Sequence, residues 1–199
     1  MTVYKPHIFQ KGYYFITFTN INWLPLIALT DAYDLIYSWF DYLRQQDHIV
    51  LSYVIMPNHI HLMLAYRGGV KSLNTLVGNG KRFIAYGIVK RLQASGNTQM
   101  LCQLEAARSN KDMLRQKRYA VFKNSFDVLH CYSQKFLLQK ISYMHANPCS
   151  KKWMLTADII AYPHSSARYY ETGVQGVYPV MTSMELENSG WWDETDHSQ

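Results

Sequence analysis

The chain has few charged residues and few cysteines, and it has no long apolar run. Only 17% of its 199 residues are charged while 48% are hydrophobic, a composition that argues against disorder. The cysteines Cys102, Cys131 and Cys149 form no CxxC pair, so neither a disulfide framework nor a cysteine metal site is expected. No apolar run approaches the ~20 residues of a membrane helix. Because residues 1–10 also lack an export signal, we expect a cytoplasmic protein without a membrane span.

Acidic and basic residues are separated along the chain. Residues 185–199 hold five acids and no Lys or Arg, so residues 1–184 carry a net charge of +11. Between Lys81 and Lys123 there are ten basic residues and two acids, which suits either a solvated face or a polyanion such as nucleic acid. We predict one domain over residues 1–184 and an acidic tail over 185–199. A solvated tail is favoured over one that masks the basic surface or caps a neighbouring subunit.

Hydrophobic periodicity predicts the order strand–helix–strand–strand–helix–strand–helix. The second strand is apolar on both faces, so we expect it to be central, and Thr30 or Asp31 is expected to cap the first helix. A flexible connection with some helix is expected over residues 94–118. The order indicates an α+β fold of ferredoxin-like (RRM-like) type, an antiparallel sheet with helices on one face. The predicted strands are residues 13–20, 49–56, 59–66, 119–122 and 126–131, and the predicted helices are residues 31–47, 72–93 and 133–147.

The third predicted strand begins with the pair His59 and His61. Residues i and i+2 of a strand face the same side, roughly 7 Å apart, so two imidazoles placed there can chelate one divalent ion. An isolated pair of this kind is more often two polar residues near solvent. Position 63 is methionine, so the third alternating histidine of certain nucleotide hydrolases is missing.

The last predicted helix places Tyr143 and Asn147 four residues apart, and therefore on one face. Lys140 lies in the same angular sector as Tyr143. Any one of the 16 tyrosines is structural by default, so Tyr143 matters only through its helix partner and the histidine pair. A separate apolar stripe on this helix consists of Leu137, Leu138, Ile141, Met144 and His145.

Three segments carry motifs that occur together in one family. Residues 57–62 (PNHIHL) resemble the HUH motif of the single-tyrosine transposases of the IS200/IS605 type. Residues 143–148 (YMHANP) and 162–167 (YPHSSA) resemble the YIxxNP and YPWSSA elements of their REP-associated tyrosine transposase relatives, and Lys81-Arg82-Phe83 matches in position. The chain departs from the pattern at His164, where relatives often have Trp, over residues 94–118, and in its acidic tail.

The resemblance implies a metal-dependent enzyme that cleaves and joins single-stranded or hairpin-bearing DNA, with an added C-terminal catalytic helix. Carried over by position, His59, His61 and Asn147 are the expected ligands of Mg or Mn. Tyr143 is the expected nucleophile, which would form a 5′-phosphotyrosine, and Lys140 is a candidate to support it. Relatives act either as homodimers with shared active sites or as monomers, and the sequence leaves both states open.

The basic stretch is the expected DNA-binding region, and its aromatic residues are candidates either for base stacking or for core packing. Three other hypotheses for the function stay open. The chain could be a domesticated or inactive relative that only binds nucleic acid, an RNA-binding domain of ferredoxin-like type, or a metal-dependent phosphodiesterase that uses water. The predicted DNA-binding residues are Lys81, Arg82, Lys90, Arg91, Arg115, Lys117 and Arg118.

Overall fold

The computed structural model describes residues 9–193 and contains a four-stranded antiparallel sheet. The extreme amino terminus and the last six residues of the predicted acidic tail lie outside the described residues. The strand order β2-β3-β1-β4 is that of a ferredoxin-like sheet, so the predicted α+β fold is confirmed. The strands are β1 (Gly12–Thr19), β2 (Ile49–Ile55), β3 (His59–Tyr66) and β4 (Asp127–His130).

Eight α-helices are present in the described part of the chain. Ser72 caps the third by accepting from the Thr75 amide, whereas the second begins without a side-chain cap. The predicted cap at Thr30 or Asp31 is therefore wrong; Thr30 instead ends the first helix and donates from its hydroxyl to the Leu26 carbonyl. The helices are α1 (Leu26–Leu29), α2 (Tyr33–Gln45), α3 (Leu73–Ala94), α4 (Thr98–Ala106), α5 (Asn110–Leu114), α6 (Gln134–Ala146), α7 (Ala167–Thr172) and α8 (Ser183–Asn188).

The two faces of the sheet bury two separate apolar clusters. Because side chains alternate along a strand, Ile60 and Leu62 of β3 face the cluster that includes α2 and α3. Met63 faces the opposite cluster, which α6 covers with Ile141 and Met144. The main helices thus pack on one face, as predicted, and α6 is added on the other. His59 and His61 share the strand parity of Met63, so they point to the α6 side.

β2 lies at an edge of the sheet, so its predicted central position is wrong. It is apolar on both faces because both faces of the sheet are covered by helices. A later segment also satisfies its outer edge: the Ile55 amide donates to the His164 carbonyl at 2.8 Å, and the Ser166 amide donates to the Tyr53 carbonyl at 3.0 Å. Such coverage removes the unpaired backbone groups that an edge strand otherwise exposes.

The connection after α3 is more ordered than expected, because it contains α4 and α5. A capping box between Ser109 and Asp112 begins α5. The predicted strand at residues 119–122 is reduced to an isolated bridge between Phe122 and Asn20. None of the helices within residues 9–193 combines the length and apolar character that crossing a membrane demands.

The described part of the acidic tail packs against the domain. Leu186 of α8 is buried, and the Trp192 indole donates to the Tyr13 hydroxyl at 3.1 Å. The Arg67 guanidinium lies 4.8 Å from the ring centroid of Trp191. As far as Asp193 the acids are exposed, as expected of a solvated tail, but the apolar residues among them anchor this segment to the domain.

Candidate active site

An open cleft of about 1150 Å³ lies on the α6 side of the sheet. Its floor comes from β1 and β3, and its wall comes from α6 and the residues that follow it. The strand alternation described above turns His59 and His61 into this cleft. The lining residues include Phe15, Thr17, Thr19, Trp23, His59, His61, Lys123, Asp127, Lys140, Tyr143, Asn147, Lys152 and Trp153.

A neighbouring amide fixes the hydrogen position of His59. The His59 and His61 rings are buried, with their centroids 4.8 Å apart. The Asn58 amide nitrogen donates to the Trp23 carbonyl at 2.9 Å, which leaves Asn58 Oδ1 to face His59 Nδ1 at 2.7 Å. An amide oxygen only accepts, so His59 Nδ1 carries the hydrogen and Nε2 keeps its lone pair.

His61 is oriented in the same way by β1 and α6. Its Nδ1 lies 2.7 Å from Thr17 Oγ1, and its Nε2 lies 3.0 Å from the Asn147 amide nitrogen. Since that amide donates, Nε2 is the acceptor and Nδ1 donates to Thr17. Both imidazoles are therefore unprotonated at Nε2; the lone pair of His61 Nε2 accepts from the side-chain amide of Asn147, and no hydrogen bond to His59 Nε2 is present among the described residues.

Burial keeps both histidines neutral. Desolvation, together with the positive charge of Lys152, lowers the pKa of His59 to about 4. Desolvation also lowers the pKa of His61 to about 3, with smaller contributions from His59 and Lys140. Neutral imidazole is the form that binds a metal ion, so the pair is ready to act as ligands at neutral pH.

The donor set fits a divalent ion of the kind expected. Within residues 9–193 no three or more His, Cys, Asp and Glu side chains gather into a group able to hold a metal. A third protein ligand at this site would therefore be of another type, and Asn147 could supply its amide oxygen once the amide is turned from the orientation in which its nitrogen faces His61. Two imidazoles and an amide oxygen are neutral ligands, so they would leave a bound divalent ion its full charge to polarise a phosphate oxygen.

Tyr143 stands beside the histidine pair in the same chain. Its side chain is 55% exposed, and its ring centroid lies 5.7 Å from that of His61. Lys140 Nζ, one turn earlier on α6, lies 5.7 Å from the Tyr143 ring centroid. The predicted stripe of α6 is buried except for Leu138, which is exposed. The one-turn spacing thus delivers the phenol and the Asn147 amide to one cleft without a second protomer.

The fold can be compared with those of solved proteins. A REP-associated tyrosine transposase, solved bound to a REP hairpin, aligns with 90% of this chain and 92% of its own, with a TM-score of 0.57 and 15% identity. The chain has the fold of that transposase. A structure from Deinococcus radiodurans, provisionally described as a transposase, gives a TM-score of 0.35 at 15% identity over 72% of this chain and 95% of its own, too low to support the likeness. No family model and no curated protein matches the sequence.

A buried histidine ties α6 to β2. His145 Nε2 lies 2.9 Å from both Ser52 Oγ and Ser166 Oγ, and burial lowers its pKa to about 4. Ser166 belongs to the YPHSSA segment, so that motif braces α6. His164 of the same segment stacks on Tyr33 at 3.5 Å between ring centroids.

Three of the predicted DNA-binding residues are engaged inside the fold. Lys81 donates to the carbonyls of Lys123 and Ser125 at 2.7 and 2.9 Å, and burial lowers its pKa to about 8. Arg91 pairs with Asp34, and Lys117 pairs with Asp112. The other four are exposed on α3 or after α5, and none of the seven lines the cleft. Their role in DNA binding stays a prediction; the exposed four are Arg82, Lys90, Arg115 and Arg118.

The cleft instead presents cations and aromatic rings that the sequence did not single out. Lys123 and Lys152 line it together with Trp23 and Trp153. Lys123 ends the basic stretch, so its charge was a usable signal. Lys152 and Trp153 follow the NP dipeptide that ends α6, and nothing in their own pattern marks them as part of the site.

Proposed function

We propose that the chain is a metal-dependent enzyme that cleaves single-stranded DNA and rejoins it through a covalent phosphotyrosine on Tyr143. The observation that carries this proposal is the convergence of Tyr143, His61 and Asn147 in one cleft of one chain. The fold shared with a hairpin-bound transposase supports a hairpin-bearing DNA strand as the substrate.

His59, His61 and Asn147 are the residues that would hold Mg or Mn. A bound divalent ion polarises a phosphate oxygen and orients the scissile bond. The chain contributes neutral ligands whose orientation is set in advance by Asn58 and Thr17. These contacts limit the reorganisation that would otherwise accompany binding.

Tyr143 Oη attacks the phosphorus and forms the tyrosine–phosphate ester. The bond between that phosphorus and the 3′ oxygen of the preceding nucleotide breaks, the phenolic proton is lost, and the leaving strand gains a 3′-hydroxyl proton. A 3′-hydroxyl of another strand then attacks the ester and releases Tyr143, so one phosphodiester replaces another without ATP. Lys140, beside the ring, stabilises negative charge that develops on the phenol oxygen.

A trapping experiment tests the nucleophile. Labelled hairpin oligonucleotides with a randomised single-stranded flank are incubated with the protein and Mn, and adducts that survive denaturing gel electrophoresis are counted. Wild type is expected to form an adduct and Tyr143→Phe none, because the substitution removes only the attacking oxygen. Tyr132→Phe, which changes a tyrosine that is 79% exposed just before α6, is the matched control and should retain the adduct.

The same experiment separates the competing functions. His59→Ala and His61→Ala should lose the adduct while they keep much of the DNA binding, because they remove metal ligands only. An adduct in Tyr143→Phe would place the nucleophile elsewhere. Cleavage that leaves products free of protein would indicate a phosphodiesterase that uses water. DNA binding without cleavage, whichever divalent metal is added, would indicate an inactive relative.

A further inference from the structure

We propose that Trp23 is the stacking platform for an unpaired nucleobase beside the scissile phosphate, with Lys123 and Lys152 holding the neighbouring phosphates. The inference deepens the proposed function and rests on it for the position of the scissile phosphate. It assigns a nucleotide-binding subsite to residues other than the seven predicted DNA-binding residues.

Trp23 lies directly beside the candidate metal site. Its ring centroid is 5.6 Å from that of His59 and 6.2 Å from that of Trp153, and Trp153 is itself 5.3 Å from His59. Both indoles line the cleft. A strand whose phosphate reaches His59 therefore brings an adjacent base within reach of these rings.

The backbone holds Trp23 in an unfavourable conformation. Trp23 has φ +58° and Asn22 has φ +50°, a left-handed region that bulky residues rarely adopt. The Trp23 amide donates to the Asn20 carbonyl at 3.2 Å, and the Trp23 carbonyl accepts from Asn58 at 2.9 Å. Asn58 also orients His59, so one side chain contacts both the Trp23 backbone and the His59 ring.

This conformation does not serve to bury the ring. Trp23 is 44% exposed and lines the open cleft. Strained backbone conformations cluster at active sites and ligand-binding positions. An indole face is a good surface for any base, because every base offers a π-face for stacking.

The positive charges around Trp23 favour a ligand in which a base is flanked by phosphates. Lys123 Nζ lies 4.8 Å and Lys152 Nζ lies 4.4 Å from the Trp23 ring centroid. Within residues 9–193 neither lysine forms an ion pair. Two ammonium groups beside an exposed indole match a base with a phosphate on either side, the repeating unit of a single strand.

The test compares two probes of equal charge in the absence of metal. Binding of an oligothymidylate of about twelve nucleotides and of an abasic strand of the same length is measured by fluorescence anisotropy, and the ratio of dissociation constants reports base stacking. Trp23→Leu should reduce the preference for the thymidylate over the abasic strand by about 5- to 160-fold, the range expected for one stacked base. Trp23→Phe, which keeps an aromatic ring, should retain most of it.

A matched control and two charge variants complete the design. Tyr132→Leu changes an aromatic residue that is 79% exposed just before α6 and does not line the cleft, and it should leave the preference intact. Lys123→Gln and Lys152→Gln should weaken the binding of both probes equally. Each should also reduce the magnitude of the slope of log affinity against log salt by about 0.7. Thermal unfolding of each variant checks that it is folded.

The outcomes separate the platform from the chemistry. A Trp23→Leu protein that is folded and keeps the full preference overturns the inference, as does an equal loss for both probes. An adduct on Tyr143 together with either result leaves the proposed function standing. Conversely, a Trp23-dependent preference without any adduct keeps the stacking platform and removes the proposed reaction.

Discussion

Thr17 shapes the candidate metal site although it is not one of the proposed ligands. Its hydroxyl accepts from His61 Nδ1 at 2.7 Å, which leaves the Nε2 lone pair directed toward Asn147. Contacts of this kind hold the tautomer and the ring angle of a ligating histidine. Thr17 is therefore a positioning residue, and its loss should affect metal affinity more than the fold.

Thr17→Val tests that role, since valine keeps the branched shape and removes only the hydroxyl. We expect the affinity for Mn to fall by roughly 10- to 100-fold, the usual effect of removing such a contact. The measurement is a Mn titration of adduct formation combined with calorimetry of Mn binding without DNA. Thr17→Ser should restore most of the affinity because it restores the oxygen.

Thr19→Val is the matched control, because Thr19 also lines the cleft from β1 and pairs with His59 across the sheet. It should leave Mn affinity close to that of the wild type. An equal loss in Thr17→Ser and Thr17→Val would show that the hydroxyl is not what matters.

The residues readable from sequence are those whose spacing fixes their geometry. His59 and His61 share a strand face and Tyr143 and Asn147 share a helix face, whatever the rest of the chain does. Trp23 reaches the same cleft from a loop with positive φ angles, which local patterns do not specify. Its position depends on a hydrogen bond from a residue 35 positions away in the sequence.

At the scale of elements, the basic helix α3 shows why charge alone misleads. Arg91 reaches across to Asp34 of α2, and Lys81 satisfies carbonyls near β4, so both cations stabilise the packing of α3. From the sequence, both residues were predicted to bind DNA because of their charge. Only the packing partners of the helix reveal that they are already engaged.

The glycines of α3 supply an element-scale prediction. A Cβ on Gly80 would lie 2.3 Å from Trp39 Nε1, whereas a Cβ on Gly78 meets nothing within 4 Å. Trp39 is buried, so Gly80→Ala must displace it and should destabilise the protein by about 1–3 kcal/mol. Gly78→Ala should stabilise it by as much as about 1 kcal/mol, because alanine favours the helix.

Urea denaturation of both variants, followed by circular dichroism, gives the two free energies of unfolding. The change in the free energy of unfolding is expected to be positive for Gly78→Ala and negative for Gly80→Ala, although both variants add one methyl group to the same helix. If both variants are stabilised, the close approach of α2 and α3 at Gly80 is not a packing constraint.

For the whole molecule, the order of elements was sufficient to predict the ferredoxin-like sheet, but not what covers it. β2 was predicted to be central because it is apolar on both faces, yet it is an edge strand covered by α6 and by residues near Ser166. That segment follows β2 by more than a hundred residues, and no local periodicity links the two. The packing of Leu186 and Trp192 against the domain could not be predicted either, because it also joins segments that are far apart in the sequence.

Buried histidines also set the response of the whole fold to acid, and His48 is a suitable probe because it lies away from the cleft. Burial lowers its pKa to about 4, and its Nδ1 accepts from the Arg67 amide at 3.3 Å. In the unfolded chain its pKa is about 6.5, so between pH 6.5 and 4 the histidine is protonated in the unfolded state and neutral in the folded state. His48 therefore contributes stability above pH 6.5 that is lost as the pH falls toward 4.

His48→Asn should flatten this dependence, because an amide oxygen can accept from Arg67 without titrating. Between pH 6.5 and 4 the wild type should lose up to about 1.4 kcal/mol per pH unit more than the variant, or about 3 kcal/mol in all. Free energies of unfolding from urea titrations across this range provide the measurement, with exposed His130→Gln as the control. A variant whose stability falls as steeply as that of the wild type would mean that His48 takes up its proton in the folded state, which its burial against Tyr66 opposes.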